Sequence, residues 1–292
     1  MSGHPPRLLV TGASGQLGQL VIARLLETVP AGQIAATVRD DQAAARLAAL
    51  GVHPHIADYA RPETLDAALA GIDRVLLISS NAIGQRFAQH RNVIAAAKRA
   101  GVALLAYTSV LHADTSPLGL AEEHRQTEAA LREAGLPFVL LRNGWYTENY
   151  TAAIPAALAH HALIGGAGDG RIASAARADY AEAAVAVLTA AENQAGRIFE
   201  LAGDDAYTLT ELAAEIARQS GQPVAYTNLP EADYKAALIG AGLPEALAGL
   251  LADSDVGASK GALFDDGRQL STLIGRPTTP VAVSVARALE RR

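Results

Sequence analysis

The composition of this 292-residue chain limits the kinds of function it can have. It contains no cysteine, which excludes disulfides, thiolate nucleophiles and iron–sulfur clusters. The formal charge of −6 argues against nucleic acid as a partner, and no apolar run approaches the ~20 residues that a membrane-spanning helix needs. We therefore expect a soluble, cytoplasmic protein without a membrane partner.

Short β-like runs alternate with Ala- and Leu-rich helical stretches through the first half of the chain. Strands are predicted at about 8–11, 34–38, 53–57, 74–78, 103–109 and 138–142. Helices are predicted between them at about 17–28, 41–50, 62–69, 85–100 and 121–134. This alternation is typical of an α/β fold, a doubly wound parallel sheet of the Rossmann type. In such a fold, ligands bind beyond the carboxyl ends of the strands.

The pattern loosens after residue 142. The glycine-rich segment 164–170 predicts a turn-rich connection, a helix is predicted at 178–191, and residues 199–201 are expected to return to the sheet. Thr208 and Glu211 have the spacing of a helical capping box. We predict a Rossmann domain over 1–145, with about 178–205 packing back on it, and a smaller, mainly helical lobe over 146–292.

Glycines follow the first predicted strand at a spacing of three residues: Gly12, Gly15 and Gly18. In such a motif the first glycine permits a tight turn, the second lets backbone N–H groups approach a pyrophosphate, and the third lets helix and strand pack closely. The alternative is a glycine-rich turn without a ligand. The strand before the motif and the helix after it favour a dinucleotide site.

Polar residues at the ends of the next strands indicate which dinucleotide binds. Arg39 follows the second strand, where NAD-binding proteins carry an acidic residue for the ribose, and a guanidinium there suits a 2′-phosphate. NADPH is therefore the predicted cofactor. The alternative is a surface arginine paired with Asp40 or Asp41, either of which can also reach a ribose. The same positional argument puts 58–59 beside the adenine and 79–81 beside the nicotinamide ribose.

The proton donor of ordinary short-chain dehydrogenases is missing. No tyrosine is followed four residues later by a lysine, so the Tyr-x-x-x-Lys pair does not occur. In the helix that would carry the pair, Leu120 takes the tyrosine position and His124 the lysine position. Ser109, at the end of the fifth strand, either positions a substrate oxygen or is a helix cap or a satisfied polar group. The histidines lack the spacing of metal ligands, so no metal is predicted.

Several segments together make the chain resemble the atypical, NmrA-like branch of the short-chain dehydrogenase/reductases and, within it, the bacterial type 2 NAD(P)H:quinone oxidoreductases. The likeness runs from about residue 8 to about residue 285. The segments that carry it are 79–80, 85–86, 89–94, 106–109, 111–121, 141–146, 177–180 and 251–261.

The resemblance implies a two-domain enzyme that binds NADPH and reduces quinones without flavin. It implies cofactor contacts at Gly12, Ala13, Ser14, Gly15, Gln16, Leu17, Arg39, Ser80, Asn81, Ala82, Gly144, Trp145, Tyr146, Thr147, Glu148, Asn149 and Arg177. The alternative for Arg177 is an ion pair with Asp179 or Asp169. A homodimer is expected by analogy alone.

Our leading hypothesis is NADPH-dependent reduction of quinones by direct hydride transfer, with Asn143 and Tyr146 as catalytic residues and an amide donor at Asn143. Trp145 and Tyr146 can stack on a planar ring, or can equally be packing residues between the lobes. One alternative is a reductase of triphenylmethane dyes or other conjugated acceptors. The other is a non-catalytic, NADP(H)-binding redox sensor of the NmrA type.

Overall fold

The computed structural model of the protein describes residues 7–290. Its strands are β1 (Leu8–Val10), β2 (Ile34–Val38), β3 (His53–Ile56), β4 (Arg74–Leu77), β5 (Leu104–Val110), β6 (Phe138–Asn143), β7 (Ala162–Gly165), β8 (Ile198–Leu201) and β9 (Ala225–Asn228). Its α-helices are α1 (Gln16–Leu25), α2 (Asp41–Ala49), α3 (Pro62–Leu69), α4 (Arg86–Ala100), α5 (Ala121–Ala134), α6 (Thr147–Thr151), α7 (Ile154–His160), α8 (Arg177–Thr189), α9 (Leu209–Ser220), α10 (Glu231–Gly240), α11 (Glu245–Ser259), α12 (Gln269–Ile274) and α13 (Val281–Glu290).

The main sheet has the strand order β3-β2-β1-β4-β5-β6-β8. Strand β1 is parallel to both of its neighbours, and Leu9 lies opposite Ala35 of β2 and Val75 of β4. The order of the strands reverses between β1 and β4. At such a reversal the connecting segments diverge and leave a crevice beyond the carboxyl ends of the strands. The prediction of a doubly wound parallel sheet is confirmed.

Burial on both faces of the sheet explains why its central strands are so apolar. Every residue of β1, β2 and β5 is buried, as is usual for parallel strands that are covered by helices on both sides. One face packs Leu9, Val75, Leu105 and Leu140 into a continuous core. The apolar character of these strands therefore predicts that helices cover both faces of the sheet.

The second half of the chain contains one feature that the sequence did not predict. Strands β7 and β9 pair in parallel as a separate two-stranded sheet, so the predicted turn-rich segment 164–170 begins inside a strand. The rest of this region is mainly helical, as predicted. The capping box is present as well: Thr208 Oγ1 accepts from the Glu211 N–H, and the Glu211 carboxylate accepts from the Thr208 N–H.

The chain forms two compact units. Of the described residues, unit 1 contains 7–110, 123–142 and 180–199, and unit 2 contains 111–122, 143–179 and 200–290. No helix within residues 7–290 combines the length and the apolar character that crossing a membrane requires.

A buried carboxylate organises unit 2. Asp255 of α11 accepts a hydrogen bond from the Tyr150 hydroxyl of α6 at 3.0 Å and from the Gly166 N–H, just after β7, at 2.8 Å. Burial raises the pKa of Asp255 above its usual range. The single side chain therefore links two helices and the end of a strand.

A buried ionic cluster joins β5, α5 and β6 in unit 1. Glu128 accepts two hydrogen bonds from Arg142, at 2.9 and 2.8 Å, and one from the Ser109 hydroxyl at 2.7 Å. Arg132 also contacts this carboxylate, at 3.2 Å, but its side chain is 49% exposed. Ser109 is therefore a satisfied polar group, which was one of the two alternatives that its position suggested.

Two substitutions in this cluster should lower the free energy of unfolding by different amounts, although each removes one side chain from the group around Glu128. Glu128→Ala removes the buried carboxylate that accepts two hydrogen bonds from the buried Arg142, and should lower the free energy of unfolding by roughly 3–5 kcal/mol. Arg132→Ala removes an exposed partner of the same carboxylate and should cost no more than about 1 kcal/mol. Urea unfolding of both variants checks this prediction, and equal losses would contradict it.

Candidate cofactor site

The glycine-rich loop after β1 has two positions that only glycine fits. Gly12 has a φ of +59°, which strains any residue with a side chain. A Cβ added at Gly18 would collide with the Gly12 carbonyl oxygen and lie 2.7 Å from the Ala13 Cα. At Gly15, by contrast, the nearest atom would be the Gly12 carbonyl oxygen at 3.2 Å, and the residue is exposed. A side chain at Gly15 would therefore need a shift of a few tenths of an ångström from the Gly12 carbonyl. The loop is tight at both ends and less tight in the middle.

Helix α1 begins after Gly15 without a capping side chain. Gly15 is its N-cap residue, and no side chain accepts a hydrogen bond from the first turn. The N–H groups of Gly12 and Ala13 are used inside the fold, where they donate to the Thr37 hydroxyl and carbonyl oxygens at 3.3 and 3.1 Å. Unsatisfied N–H groups and the helix dipole favour an anion at such an end. The Gly15 N–H also stays inside the loop, where it donates to the Gly12 carbonyl oxygen at 3.0 Å. Within 12–17, the N–H groups at the start of α1 are therefore the ones that fit a pyrophosphate.

Arg39 is exposed directly after β2 and forms no salt bridge with any residue in the described range 7–290. Asp40 does not pair with it, because the Asp40 carboxylate caps α2 by accepting from the Ala43 N–H at 2.8 Å. Asp41 belongs to the first turn of the same helix. The alternative in which Arg39 is neutralised by these acids is therefore not what the structure shows. Its guanidinium remains available to a phosphate.

Tyr59 joins the carboxyl ends of β1 and β4. Its hydroxyl contacts Thr11 Oγ1 and donates to the Ile78 carbonyl oxygen at 3.0 Å. Burial raises the pKa of Tyr59 well above its usual range. The neighbouring Asp58 carboxylate accepts from the Ala60 N–H at 2.8 Å. Both side chains predicted beside the adenine therefore have a structural role of their own.

The predicted cofactor residues Ser80, Asn81 and Ala82 lie in the loop between β4 and α4. Asn81 is exposed and the other two are half-buried. The Ala82 N–H donates to the Ser80 hydroxyl at 3.1 Å, and the Ser79 N–H donates to the Thr108 hydroxyl at 2.8 Å. The backbone of the loop is therefore fixed, while the Asn81 side chain faces solvent.

Unit 2 contains the remaining predicted cofactor residues. The run Gly144–Asn149 leads from β6 into α6, and its backbone is held by Gly144 N–H to Leu201 at 2.7 Å and by Thr147 N–H to Ala175 at 2.9 Å. The Trp145 side chain is buried, at 8% exposure. The Thr147 hydroxyl lies 2.8 Å from that of Ser174.

Asn143 and Tyr146 are in contact with each other. The Asn143 amide group donates to the Tyr146 hydroxyl, which limits the rise in the pKa of Tyr146 that burial causes. Within residues 7–290, nothing donates to Asn143 Oδ1, although this oxygen is buried. An unsatisfied buried acceptor costs roughly 1–3 kcal/mol. Asn143 was expected as an amide donor; the structure uses that donor on Tyr146 and leaves the acceptor oxygen open.

Arg177 packs its guanidinium over the Tyr146 ring, 4.5 Å from the ring centroid, and lies 3.5 Å from Asn149 Oδ1. Glu148 accepts the Arg177 backbone N–H with both carboxylate oxygens at 3.0 Å. The alternative of an ion pair with Asp179 is not observed, because Asp179 is bound to Arg276 at 2.7 Å. The structure thus brings Asn143, Tyr146, Glu148, Asn149 and Arg177 into one cluster.

The positions that would hold a proton donor in an ordinary short-chain dehydrogenase contain none. Leu120 precedes α5, so the predicted tyrosine position lies outside the helix. His124 is buried, with Nδ1 2.7 Å from the Tyr107 hydroxyl and Nε2 3.3 Å from Arg86. Burial and the Arg86 charge lower the pKa of His124 well below its usual range. His124 is therefore a neutral structural residue.

The sequence analysis missed the residues that hold the 79–82 loop, which are Arg86, Gln89 and His90 of α4. Their spacing of three and four residues, which places them on one helix face, was the available signal. Among the described residues, no group of three or more His, Cys, Asp or Glu side chains is arranged to hold a metal ion.

Comparison with known proteins identifies relatives along nearly the whole chain. The model of the NAD(P)H-binding family matches residues 12–191. Quinone oxidoreductase 2 of Escherichia coli is 59% identical over 279 residues, which are 96% of this chain and 97% of that protein.

Two solved structures show the same relationship. The NADPH-dependent quinone oxidoreductase of E. coli, crystallised with NADPH, superimposes with a TM-score of 0.94 at 58% identity and covers 97% of this chain and 99% of that one. Triphenylmethane reductase of Citrobacter sp. gives a TM-score of 0.92 at 36% identity, with 97% and 99% covered. The chain therefore belongs to the NAD(P)H-binding family of Rossmann-type proteins that includes E. coli quinone oxidoreductase 2.

Proposed function

We propose that this protein is an NADPH-dependent quinone oxidoreductase that uses direct hydride transfer without flavin. The observation that carries the proposal is the high identity, over nearly the whole chain, to quinone oxidoreductase 2, whose solved structure contains NADPH. The glycine loop supports the same cofactor, and so does Arg39, which is exposed and forms no salt bridge within residues 7–290.

Unit 1 is proposed to hold the phosphates of NADPH. The backbone of 12–17 binds the pyrophosphate, and the Arg39 guanidinium binds the 2′-phosphate. Residues 80–82, 144–149 and Arg177 are proposed as further cofactor contacts. When bound, NADPH supplies the hydride. We assign cofactor binding to residues 1–145 and substrate binding to 146–292.

Asn143 and Tyr146 are proposed to orient the quinone. Because its pKa is raised, Tyr146 keeps its proton at neutral pH and can donate to a quinone oxygen. Asn143 Oδ1 has no donor within residues 7–290, so we propose that it receives the O–H of the reduced product. Fixed groups of this kind act by positioning the substrate and by stabilising charge.

The chain lacks the Tyr-x-x-x-Lys pair, and burial raises the pKa of Tyr146, which makes this hydroxyl a poorer acid than an ordinary phenol. The lack of an activated acid favours quinones over ketones. Reduction of a ketone by hydride gives an alkoxide, a strong base that needs a proton as it forms. Addition of a hydride to a quinone gives a hydroquinone monoanion, whose conjugate acid should have a pKa near the ~10 of a phenol. Water can protonate that anion. Leu120, at the position of the usual tyrosine, therefore does not prevent the reduction of quinones.

Reduction of triphenylmethane dyes is a second candidate function, supported by the 36% identity to triphenylmethane reductase. A redox sensor would bind NADPH but reduce neither class of acceptor. We further propose that the protein acts in the cytoplasm as a homodimer with a small-molecule substrate and no nucleic-acid or membrane partner. Light scattering tests the oligomeric state.

Gly15→Val should abolish most NADPH binding while the protein stays folded. The position is exposed and less crowded than Gly18, but a branched side chain would occupy the space that a pyrophosphate needs. Gly18→Val is the matched control, because its side chain would collide with backbone and should lower the melting temperature. Calorimetric titration and thermal unfolding separate the two effects. Normal NADPH affinity in a folded Gly15→Val protein would contradict the role of the loop.

Arg39→Asp should shift the preference from NADPH to NADH. The change removes the cation for the 2′-phosphate and offers a ribose an acceptor. Charge-assisted hydrogen bonds of this type contribute roughly 1.5–3 kcal/mol, which is about a ten- to hundredfold change in affinity. Arg39→Ala should weaken NADPH without improving NADH. An unchanged ratio of the two kcat/KM values would assign Arg39 to the solvent-exposed surface alone.

The wild-type protein should reduce quinones efficiently and simple ketones poorly. We expect kcat/KM for a benzoquinone to exceed that for a simple ketone by at least the roughly 10²–10⁴-fold that a general acid contributes. Loss of NADPH absorbance with a panel of quinones, triphenylmethane dyes and ketones checks this. Ketone reduction as fast as quinone reduction would overturn the proposal. Turnover of dyes alone would favour the second candidate, and binding without turnover the sensor.

A further inference from the structure

One face of α4 holds every polar group of Ser80. Arg86 Nε donates to the Ser80 carbonyl oxygen at 2.6 Å. The Ser80 hydroxyl donates to Gln89 Oε1, and the Ser80 N–H donates to His90 Nε2 at 2.9 Å. We call Arg86, Gln89 and His90 the Ser80 clamp. The carbonyl, hydroxyl and N–H groups of Ser80 each have a side-chain partner, so the position of this residue is fixed much more closely than the connection of β4 to α4 requires.

The second ring nitrogen fixes the tautomer of His90. His90 Nδ1 lies 3.0 Å from Thr127 Oγ1, and that hydroxyl donates its own proton to the Glu123 carbonyl oxygen at 2.7 Å. Because the Thr127 proton is used, Nδ1 must be the donor of the first pair. Nε2 is then left with the lone pair that the Ser80 N–H requires.

The surroundings of His90 keep it neutral. The residue is fully buried, and the rings of Tyr59 and Tyr107 contact it edge-on, at centroid distances of 6.4 and 5.3 Å. Burial and, to a smaller extent, the nearby Arg86 charge lower the pKa of His90 to about 3. The imidazole is therefore a permanent acceptor at neutral pH. A carboxylate or lysine could not replace it here without burying a charge.

The clamped loop borders the crevice at the reversal of strand order. It follows β4, and the glycine loop follows the adjacent strand β1. The two strand ends are joined where the Ile78 N–H donates to Thr11 Oγ1 at 3.1 Å. A ligand that sits beyond these strands meets both loops. The position of Ser80 therefore sets the second border of the site.

We propose that His90 is a positioning residue of the cofactor site: by accepting the Ser80 N–H it holds residues 79–82 in the conformation that NADPH binding requires. The inference rests on the proposed function. It adds that NADPH binding requires His90, a buried residue that touches neither cofactor nor substrate.

Two variants of His90 separate positioning from simple packing. His90→Gln keeps an acceptor oxygen near the position of Nε2 and should still receive the Ser80 N–H. His90→Asn keeps a donor near the position of Nδ1 for Thr127 but loses the distant acceptor. Both variants lose the ring contacts with Tyr59 and Tyr107, so both should lose stability, and thermal unfolding measures how much.

The readouts are the dissociation constant for NADPH and the amide hydrogen exchange of Ser80 in the cofactor-free protein. His90→Asn should weaken NADPH binding about tenfold and speed Ser80 exchange, as expected for the loss of one buried hydrogen bond. His90→Gln should stay within about threefold of the wild type in both. Gln89→Met, at a half-buried position, serves if His90→Asn fails to fold, and should also weaken binding by several-fold.

Equal behaviour of the two His90 variants, or normal NADPH affinity in Gln89→Met, would overturn the positioning role while the proposed function stands. A wild-type protein that binds no NADPH would instead overturn the proposed function, and this inference with it. Faster Ser80 exchange without weaker NADPH binding would show that the clamp serves the fold alone, which also overturns the proposal.

Discussion

The hydroxyl of Thr11 links the ends of β1 and β4, and the candidate site depends on this link. The Thr11 O–H donates to the Leu76 carbonyl oxygen at 2.9 Å, and its oxygen accepts from the Ile78 N–H at 3.1 Å. At the end of β1, the Thr11 side chain thus makes the hydrogen bonds to the neighbouring strand that the backbone makes elsewhere along β1. The backbone of Gly12 is released from the ladder and can turn away, with the positive φ that follows. The glycine loop and the 79–82 loop diverge from this point.

Unit 1 satisfies its buried polar groups in two different ways. Between β5, α5 and β6 it uses the charged pair Glu128 and Arg142, with Ser109 as a third partner. Beside the 79–82 loop it uses the Arg86 guanidinium together with the neutral imidazoles of His90 and His124, each with one donor and one acceptor nitrogen. A buried ion pair is costly when either partner is lost. The imidazoles place directional hydrogen bonds next to the site without adding a charge of their own.

The parts of the molecule that local sequence determines were predictable. Gly12, Gly15 and Gly18 act within one strand–turn–helix unit, and each glycine has the geometry that its place in the motif predicts. The capping box at Thr208 is local in the same way. Strands β7 and β9 were missed because they form a separate two-stranded sheet between segments far apart in the sequence, and β9 has no alternation of buried and exposed residues.

The contacts within the candidate site were not predictable, because they join distant segments. Nothing near Tyr59 in the sequence shows that its hydroxyl reaches Thr11 and Ile78. Arg177 was expected to meet a phosphate or an aspartate, and its stacking on Tyr146 requires that β6 and α8 be placed first. The roles of Asn143, Tyr146 and Arg177 in binding and catalysis remain predictions, now with a defined arrangement.

Trp145 is the single tryptophan of the chain, and it is buried within the run that leads into α6. Its indole emission therefore comes from one known place, beside Tyr146 in the candidate substrate region. The reduced nicotinamide ring absorbs near the wavelengths at which indole emits, so energy transfer can report cofactor capture without any label. The native protein thus contains its own fluorescent reporter at the segment whose chemistry is in question.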